Sequence, residues 1–139
     1  MIARKCVLDT NILIYHLNGV LDDNIEQVLE DVLELDSYIS VITRIEVLGW
    51  QQHTPTSLQD TQDLLRRIVE QPLTNEIVEE CIQLRQTLSI RLPDAIIAAT
   101  ALHLDLPLMT RNVEDFEHVP TLELLNPFEM TKEESDQED

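Results

Sequence analysis

Residues 91–102 read RLPDAIIAATAL, a stretch that is apolar on nearly every face of the helix it predicts. A helix without a polar face must be surrounded by other elements, so we expect it to lie in the middle of the domain. Pro93 suits the first helical position, which places Asp94 in the first turn, where free backbone N–H groups favour a negative charge. The carboxylate of Asp94 therefore either stabilises this helix end or binds a ligand.

Outward from this helix, short apolar strands alternate with amphipathic segments. The pattern predicts strands at residues 5–8, 38–42, 106–110 and 121–125, and helices at residues 12–17, 22–36, 43–52, 57–71, 74–88, 93–104 and 112–116. Strands that alternate with helices favour an α/β domain with a mostly parallel central sheet flanked by helices, and the run of helix after the second strand indicates an inserted helical pair. We assign residues 1–128 to one domain and expect the acidic segment 129–139 to be disordered.

The charge of the chain restricts its function. The formal net charge is -18, and residues 129–139 hold six acids and one lysine. A polyanion of this kind repels nucleic acid, so loose, sequence-independent nucleic-acid binding is excluded unless a metal ion or a local basic patch supplies the attraction. A regulatory role for the acidic tail, in which it competes with RNA for basic residues, is a weaker prediction than simple solubilisation.

The chain lacks the signs of export. Its apolar runs are too short for a membrane span, and charge interrupts the first residues too early for a signal peptide. Cys6 and Cys81 lie among apolar residues without metal-binding spacing, which is typical of buried thiols. We therefore expect a cytoplasmic protein without a membrane partner.

Four acids occupy positions where strands end or helices begin: Asp9, Glu46, Asp94 and Asp115. Each has a structural explanation as a helix cap or dipole partner, and for Glu46 this is a capping box with Thr43 at the start of the helix predicted over residues 43–52. If they converge, their mutual repulsion is costly unless a divalent cation neutralises it or some carboxylates stay protonated. Oxygen ligands without paired His or Cys select Mg²⁺ or Mn²⁺, and the natural chemistry of such a site is phosphodiester hydrolysis.

The four segments at residues 7–11, 42–46, 92–101 and 109–116 resemble the signature stretches of PIN domains, and most closely those of VapC-type toxins. The resemblance implies a three-layer PIN-like fold and a Mg²⁺- or Mn²⁺-dependent endoribonuclease, usually a homodimer, inhibited by a cognate antitoxin. It identifies Asp9, Glu46, Asp94 and Asp115 as the catalytic and metal-binding acids. Thr10 and Asn112 match the polar positions that support them.

Several residues near these segments can be interpreted as either functional or structural. Thr110 and Asn112 either contact phosphate and orient a carboxylate, or form an ordinary strand-to-helix turn. Arg44 and Arg111 are candidates for substrate phosphate contacts, with a salt bridge to a neighbouring acid as the alternative. Trp50 is a better candidate for a core or dimer contact than for base stacking.

Two other classes of protein fit the sequence less well than a nuclease does. Phosphorylatable-aspartate families need a lysine near the phosphate, whereas Lys5 and Lys132 are the only lysines, and two glycines cannot form phosphate-cradling loops. The remaining alternative is a PIN-like domain that has lost catalysis and serves as a binding or regulatory partner. The strongly acidic balance supports this alternative, and the presence of all four acids opposes it.

Overall fold

The computed structural model describes residues 3–129, which form a five-stranded parallel sheet with helices on both faces. The strands are β1 (Val7–Leu8), β2 (Tyr38–Ser40), β3 (Val69–Gln71), β4 (Leu108–Met109) and β5 (Leu124–Leu125), in the spatial order β3-β2-β1-β4-β5. The helices are α1 (Thr10–Leu17), α2 (Asp23–Leu33), α3 (Val41–Leu48), α4 (Pro55–Leu65), α5 (Asn75–Thr87) and α6 (Leu92–Leu104), with a 3₁₀ turn at Val113–Asp115. The α/β fold is confirmed, and the predicted disordered tail, apart from Glu129, lies outside the described residues.

Neighbouring residues of the central strands supply two separate cores. Leu8 and Met109 belong to the core formed with α1, α2 and α4, whereas Val7 and Leu108 belong to the core formed with α5 and α6. Successive side chains of a strand point to opposite faces of the sheet, so one dipeptide serves both layers. Both faces are covered, as expected for a parallel sheet, and the three-layer arrangement follows.

The apolar helix α6 lies in the interior, as its sequence predicts. Ala95, Ala98, Ala99 and Ala101 are completely buried, and α6 packs against α5, α3, β1 and β2. Side chains as small as alanine allow this many neighbours to approach one helix closely. Among residues 3–129, no helix is long and apolar enough to cross a membrane.

The start of α3 differs from the prediction. Thr43 and Glu46 do not form a capping box, because α3 begins two residues earlier and Ser40 is its N-cap, accepting the Ile42 N–H at 3.2 Å. Thr43 is completely buried inside the helix, and Glu46 lies one turn further along it than a capping residue would. Both side chains are thereby available for contacts beyond their own helix.

The predicted helical pair contains a strand that the sequence did not indicate. α4 starts from a capping box of Thr54 and Ser57, ends at Leu65, and is followed by β3, so the helix predicted to reach Pro72 is wrong in its second half. β3 lies at the sheet edge, where Val69 is exposed, and its sequence lacks the apolar content of the central strands. α5 begins at the predicted cap, since Thr74 accepts the Ile77 N–H at 3.3 Å.

The packing of α6 leads to a stability prediction. In Ala98→Leu, three added heavy atoms enter a fully buried site, and we expect a loss of about 1–3 kcal/mol in the free energy of unfolding. Thr56→Leu places the same leucine side chain at an exposed position of α4 and should change stability by less than about 0.5 kcal/mol. Urea denaturation of the two variants measures the difference, and equal stabilities would contradict the central placement of α6.

Candidate active site

The candidate site lies where the direction of strand order reverses. β2 and β3 extend the sheet on one side of β1, and β4 and β5 extend it on the other, so the reversal falls between β1 and β4. Ligands of open parallel sheets bind at this point, beyond the carboxyl ends of the strands. Asp9 follows β1 and Thr110 follows β4, and the Asp9 N–H donates to the Met109 carbonyl at 3.0 Å.

Asp9 is held by Thr110. The Thr110 hydroxyl donates to Asp9 Oδ2 at 2.8 Å and accepts the Asn112 N–H at 3.0 Å. Asp9 is 4% exposed and Thr110 is fully buried. Although Asp9 stands at the N-cap position of α1, its side chain makes no capping hydrogen bond there. Thr110 therefore orients a carboxylate and also takes part in the turn that follows β4.

A second threonine holds Glu46. The Thr10 hydroxyl donates to Glu46 Oε1 at 2.8 Å and lies 2.9 Å from the hydroxyl of Thr43. Because the single proton of Thr10 goes to the carboxylate, the Thr43 hydroxyl must donate to Thr10. Thr10 and Thr43 are both buried, so this relay joins the start of α1 to the middle of α3.

Asp94 and Asp115 complete the acidic group. Asp94 lies in the first turn of α6, as predicted, with its side chain 13% exposed and one oxygen 3.6 Å from the Nε of Arg91. Asp115 closes the 3₁₀ turn after β4 and is exposed. Asp94 is electrostatically coupled to Glu46 and Asp115, and Asp9 is coupled to Asp94 and Glu46. Asp9 and Asp94 thus each lie within electrostatic reach of two other acids of the group.

Burial and like charge disfavour ionisation here. Burial raises the pKa of Asp9 from its ordinary 3.8 to about 6; the Thr110 hydrogen bond opposes this rise, and the charges of Asp94 and Glu46 add to it. Burial also raises the pKa of Asp94, where Arg91 acts in the opposite direction and Asp115 and Glu46 reinforce the rise. A positive charge placed among these groups would relieve both effects.

The donor set suits a hard divalent cation such as Mg²⁺ or Mn²⁺, because the coupled groups are carboxylates without a nearby His or Cys ligand pair. Within residues 3–129, however, no three His, Cys, Asp or Glu side chains are close enough to hold a metal ion as they stand. A cation here would be bound directly by one or two of the carboxylates, with water completing its coordination, as is usual for Mg²⁺.

The two arginines predicted to contact phosphate have other partners. Arg44 forms an ion pair with Glu70 of β3. The guanidinium of Arg111 lies over the rings of Tyr15 and Phe128, with its Cζ at 5.6 and 4.3 Å from the ring centroids. The salt-bridge alternative is thus observed for Arg44, and a cation–π contact that the sequence did not suggest is observed for Arg111.

Two residues of the site were missed or undervalued in the sequence. Thr43 was interpreted as a helix cap, and only its buried contact with Thr10 reveals its role. Arg91 precedes Asp94 by three residues, a spacing that predicts contact on a helix, and the two side chains do form an ion pair. Trp50 is not a core residue, since it is 52% exposed and lines a pocket of about 260 Å³ that Glu46 also borders.

Comparison with known proteins agrees with this fold. A family model described as PIN domain matches residues 6–122. No protein in the curated comparison matches the chain. Among solved structures, a chain of a toxin-antitoxin complex from Klebsiella pneumoniae is 34% identical, with a TM-score of 0.73, and the match covers 88% of this chain and 98% of that one.

Two further solved structures extend this similarity. A chain of VapBC2 from Rickettsia felis, bound to a DNA fragment from their promoter, is 26% identical with a TM-score of 0.75, covering 88% of this chain and 98% of that one. A chain of VapBC-1 from nontypeable Haemophilus influenzae is 25% identical with a TM-score of 0.73, covering 90% and 99%.

The buried carboxyl of Asp9 predicts a dependence of stability on pH. Because its folded pKa, about 6, exceeds its ordinary 3.8, the folded state binds the proton more tightly, and stability falls as pH rises through this window. In metal-free buffer, wild type should lose about 3 kcal/mol relative to Asp9→Asn between pH 3.5 and pH 7. Denaturation of both proteins across this range measures the loss, with Asp23→Asn, at an exposed site, as the control that should follow wild type.

Proposed function

Because this chain belongs to the PIN domain family and is of the VapC type, we propose that it is a metal-dependent endoribonuclease and the toxin of a toxin–antitoxin pair. The observation that carries the proposal is the group of coupled carboxylates beyond β1 and β4, in which burial and like charge raise the pKa of Asp9 and Asp94. Separate structural roles for these acids would not require that their charges act on one another.

Each residue of the group has a proposed role. Asp9 and Asp94 are the direct ligands of Mg²⁺ or Mn²⁺, and Glu46 and Asp115 complete the site or position the attacking water. Bound there, the cation would lower the pKa of water and stabilise charge on the phosphate. Thr110 and Thr10 orient two of the carboxylates through neutral hydrogen bonds. Asn112 contributes its backbone N–H to Thr110.

We propose the partners and the cellular location of this protein from its similarity to the solved structures. The relatives are toxin–antitoxin complexes, and from this we infer a cognate antitoxin that inhibits the nuclease in the cytoplasm. A homodimer is part of the same proposal, and large exposed apolar side chains such as Ile45, Leu73 and Ile82 are compatible with one. The alternative, a silent PIN-like partner protein, shares the fold and lacks cleavage.

Cleavage tests the proposal directly. Wild type, purified free of any partner, should cleave a labelled pool of RNA hairpins with randomised loops when Mn²⁺ or Mg²⁺ is present, and EDTA should stop it. Asp94→Asn should lose at least about 100-fold in rate, since even residues that merely support metal ligands contribute about 10- to 100-fold. Asp23→Asn, in the first turn of α2, tests whether removing any acid at a helix start has this effect and should match wild type.

Mn²⁺ binding distinguishes the nuclease from the silent partner protein when no cleavage is seen. Metal binding, seen as a rise in melting temperature with Mn²⁺, should accompany cleavage and vanish in Asp94→Asn. A wild-type protein that neither binds Mn²⁺ nor cleaves RNA would contradict the nuclease and favour the silent partner protein.

The toxin role predicts an effect on growth. Induced expression of wild type in a bacterial host without an antitoxin should arrest growth, because unrestrained RNA cleavage stops protein synthesis. Asp94→Asn, expressed to the same level, should leave the growth rate unchanged. Equal arrest by both proteins would show that toxicity, if present, does not come from this site.

A further inference from the structure

A cleft of about 300 Å³ opens beside the acidic group, on the side of Asp94 and Asp115. It is lined by residues of the α5–α6 connection, the first turn of α6 and the segment around the 3₁₀ turn. Leu88, Ile90 and Val119 give it an apolar floor. Its size is at the lower end of the range of small-molecule sites, and it continues directly from two of the candidate metal ligands.

Arg91 is the cationic side chain of this cleft. Among residues 3–129, it is the one lysine or arginine that forms an ion pair with any of the four acids. The pair with Asp94 is long, at 3.6 Å, and the Arg91 side chain is 78% exposed. Because the pair is long and its arginine is in contact with solvent, it contributes little to stability, and Arg91 is able to leave Asp94 at low cost.

The connection that carries Arg91 is fixed in place. Arg85 of α5 donates to the Ile90 carbonyl at 2.6 Å, and Ile90 itself is buried. The backbone on either side of Arg91 is thus anchored, by this bond on one side and by α6 on the other. A long, mobile guanidinium on a fixed backbone position suits contact with a ligand more than it suits a structural role.

A cation held by Asp94 would compete with Arg91 for the same carboxylate. The guanidinium of Arg91, which lines the cleft, would then be able to bind a phosphate there. Guanidinium and phosphate form strong, paired hydrogen bonds, and an apolar floor suits the face of a base. The cleft therefore offers a nucleotide a guanidinium for its phosphate and an apolar surface for its base.

We propose that this cleft seats the nucleotide adjoining the cleaved phosphodiester, and that Arg91 exchanges Asp94 for a phosphate of the RNA when the metal binds. The inference rests on the proposed nuclease function and assigns to it a substrate-binding residue. It also separates Arg91 from Arg44 and Arg111, whose guanidinium groups are engaged with Glu70 and with aromatic rings.

The test compares wild type with Arg91→Gln and Arg91→Lys. Arg66→Gln is the matched control, because Arg66 is also an exposed arginine paired with an acid three residues away, Asp63, outside the cleft. For each protein, Mn²⁺ affinity is measured without RNA from the rise in melting temperature. Single-turnover cleavage of the hairpin pool at saturating Mn²⁺ then gives the half-saturating protein concentration, the maximal rate and their dependence on salt.

Arg91→Gln should bind RNA more weakly and Mn²⁺ more tightly than wild type. Half-saturation should require about five- to tenfold more protein while the maximal rate changes less than about twofold, and the salt dependence of binding should fall by about 0.7 in logarithmic slope. Mn²⁺ should bind about two- to fivefold more tightly, since a competing positive charge has been removed. Arg91→Lys should recover part of the RNA affinity, and Arg66→Gln should behave as wild type.

Two outcomes would contradict the proposed role of Arg91 without contradicting the proposed nuclease activity. One is an Arg91→Gln protein that cleaves with wild-type half-saturation and salt dependence. The other is weaker Mn²⁺ binding by that variant, which would make Arg91 a support of the metal site. If wild type itself fails to cleave the pool with Mn²⁺, this result contradicts the proposed function, and the inference about Arg91 is then contradicted as well.

Discussion

The structure depends on keeping a carboxylate charged at a place where charge is costly. Asp9 is 4% exposed and lies beyond the central strand, with other carboxylates near enough to raise its pKa. The parallel sheet makes this placement possible, because the register of β1 with β4 brings Asp9 beside Thr110. Moving either strand by one residue would exchange the two cores and separate this pair.

The hydrogen-bond partners of the acids explain how the charge is retained. Thr110 and Thr10 stabilise carboxylates with neutral hydroxyls, whereas a buried arginine would cancel the negative charge as well as orient it. The relay from Thr43 through Thr10 fixes Glu46 without adding a positive group. Negative charge is therefore left for a cation, and the arginine that does approach, Arg91, is exposed and distant enough to be displaced.

Much of the fold followed from sequence, because the deciding signals are local. An all-apolar helix must be interior, and acids after buried strands must meet at one edge of a parallel sheet. The edge strand β3 carried too little apolar content to be recognised, and its pairing with β2 is a tertiary contact. Thr43 was misassigned because a Thr-x-x-Glu pattern fits a capping box equally well, and only the position of α1 beside α3 decides between the two roles. The contact of Arg111 with Tyr15 joins residues from distant parts of the chain, so no local pattern could reveal it.

The acidity of the chain bears on how such a site would meet RNA. Most of the described positive side chains are paired with carboxylates away from the acidic group, as in Arg4 with Glu123 and Arg67 with Glu30. With a net charge of -18, long-range attraction to a polyanion is absent, and affinity has to arise at short range. In the proposed nuclease, the bound cation and the Arg91 side chain would supply it together at one cleft. An RNA that does not fit this cleft would gain no binding energy from the rest of the surface. The repulsion between the acidic protein and the RNA would therefore contribute to selectivity.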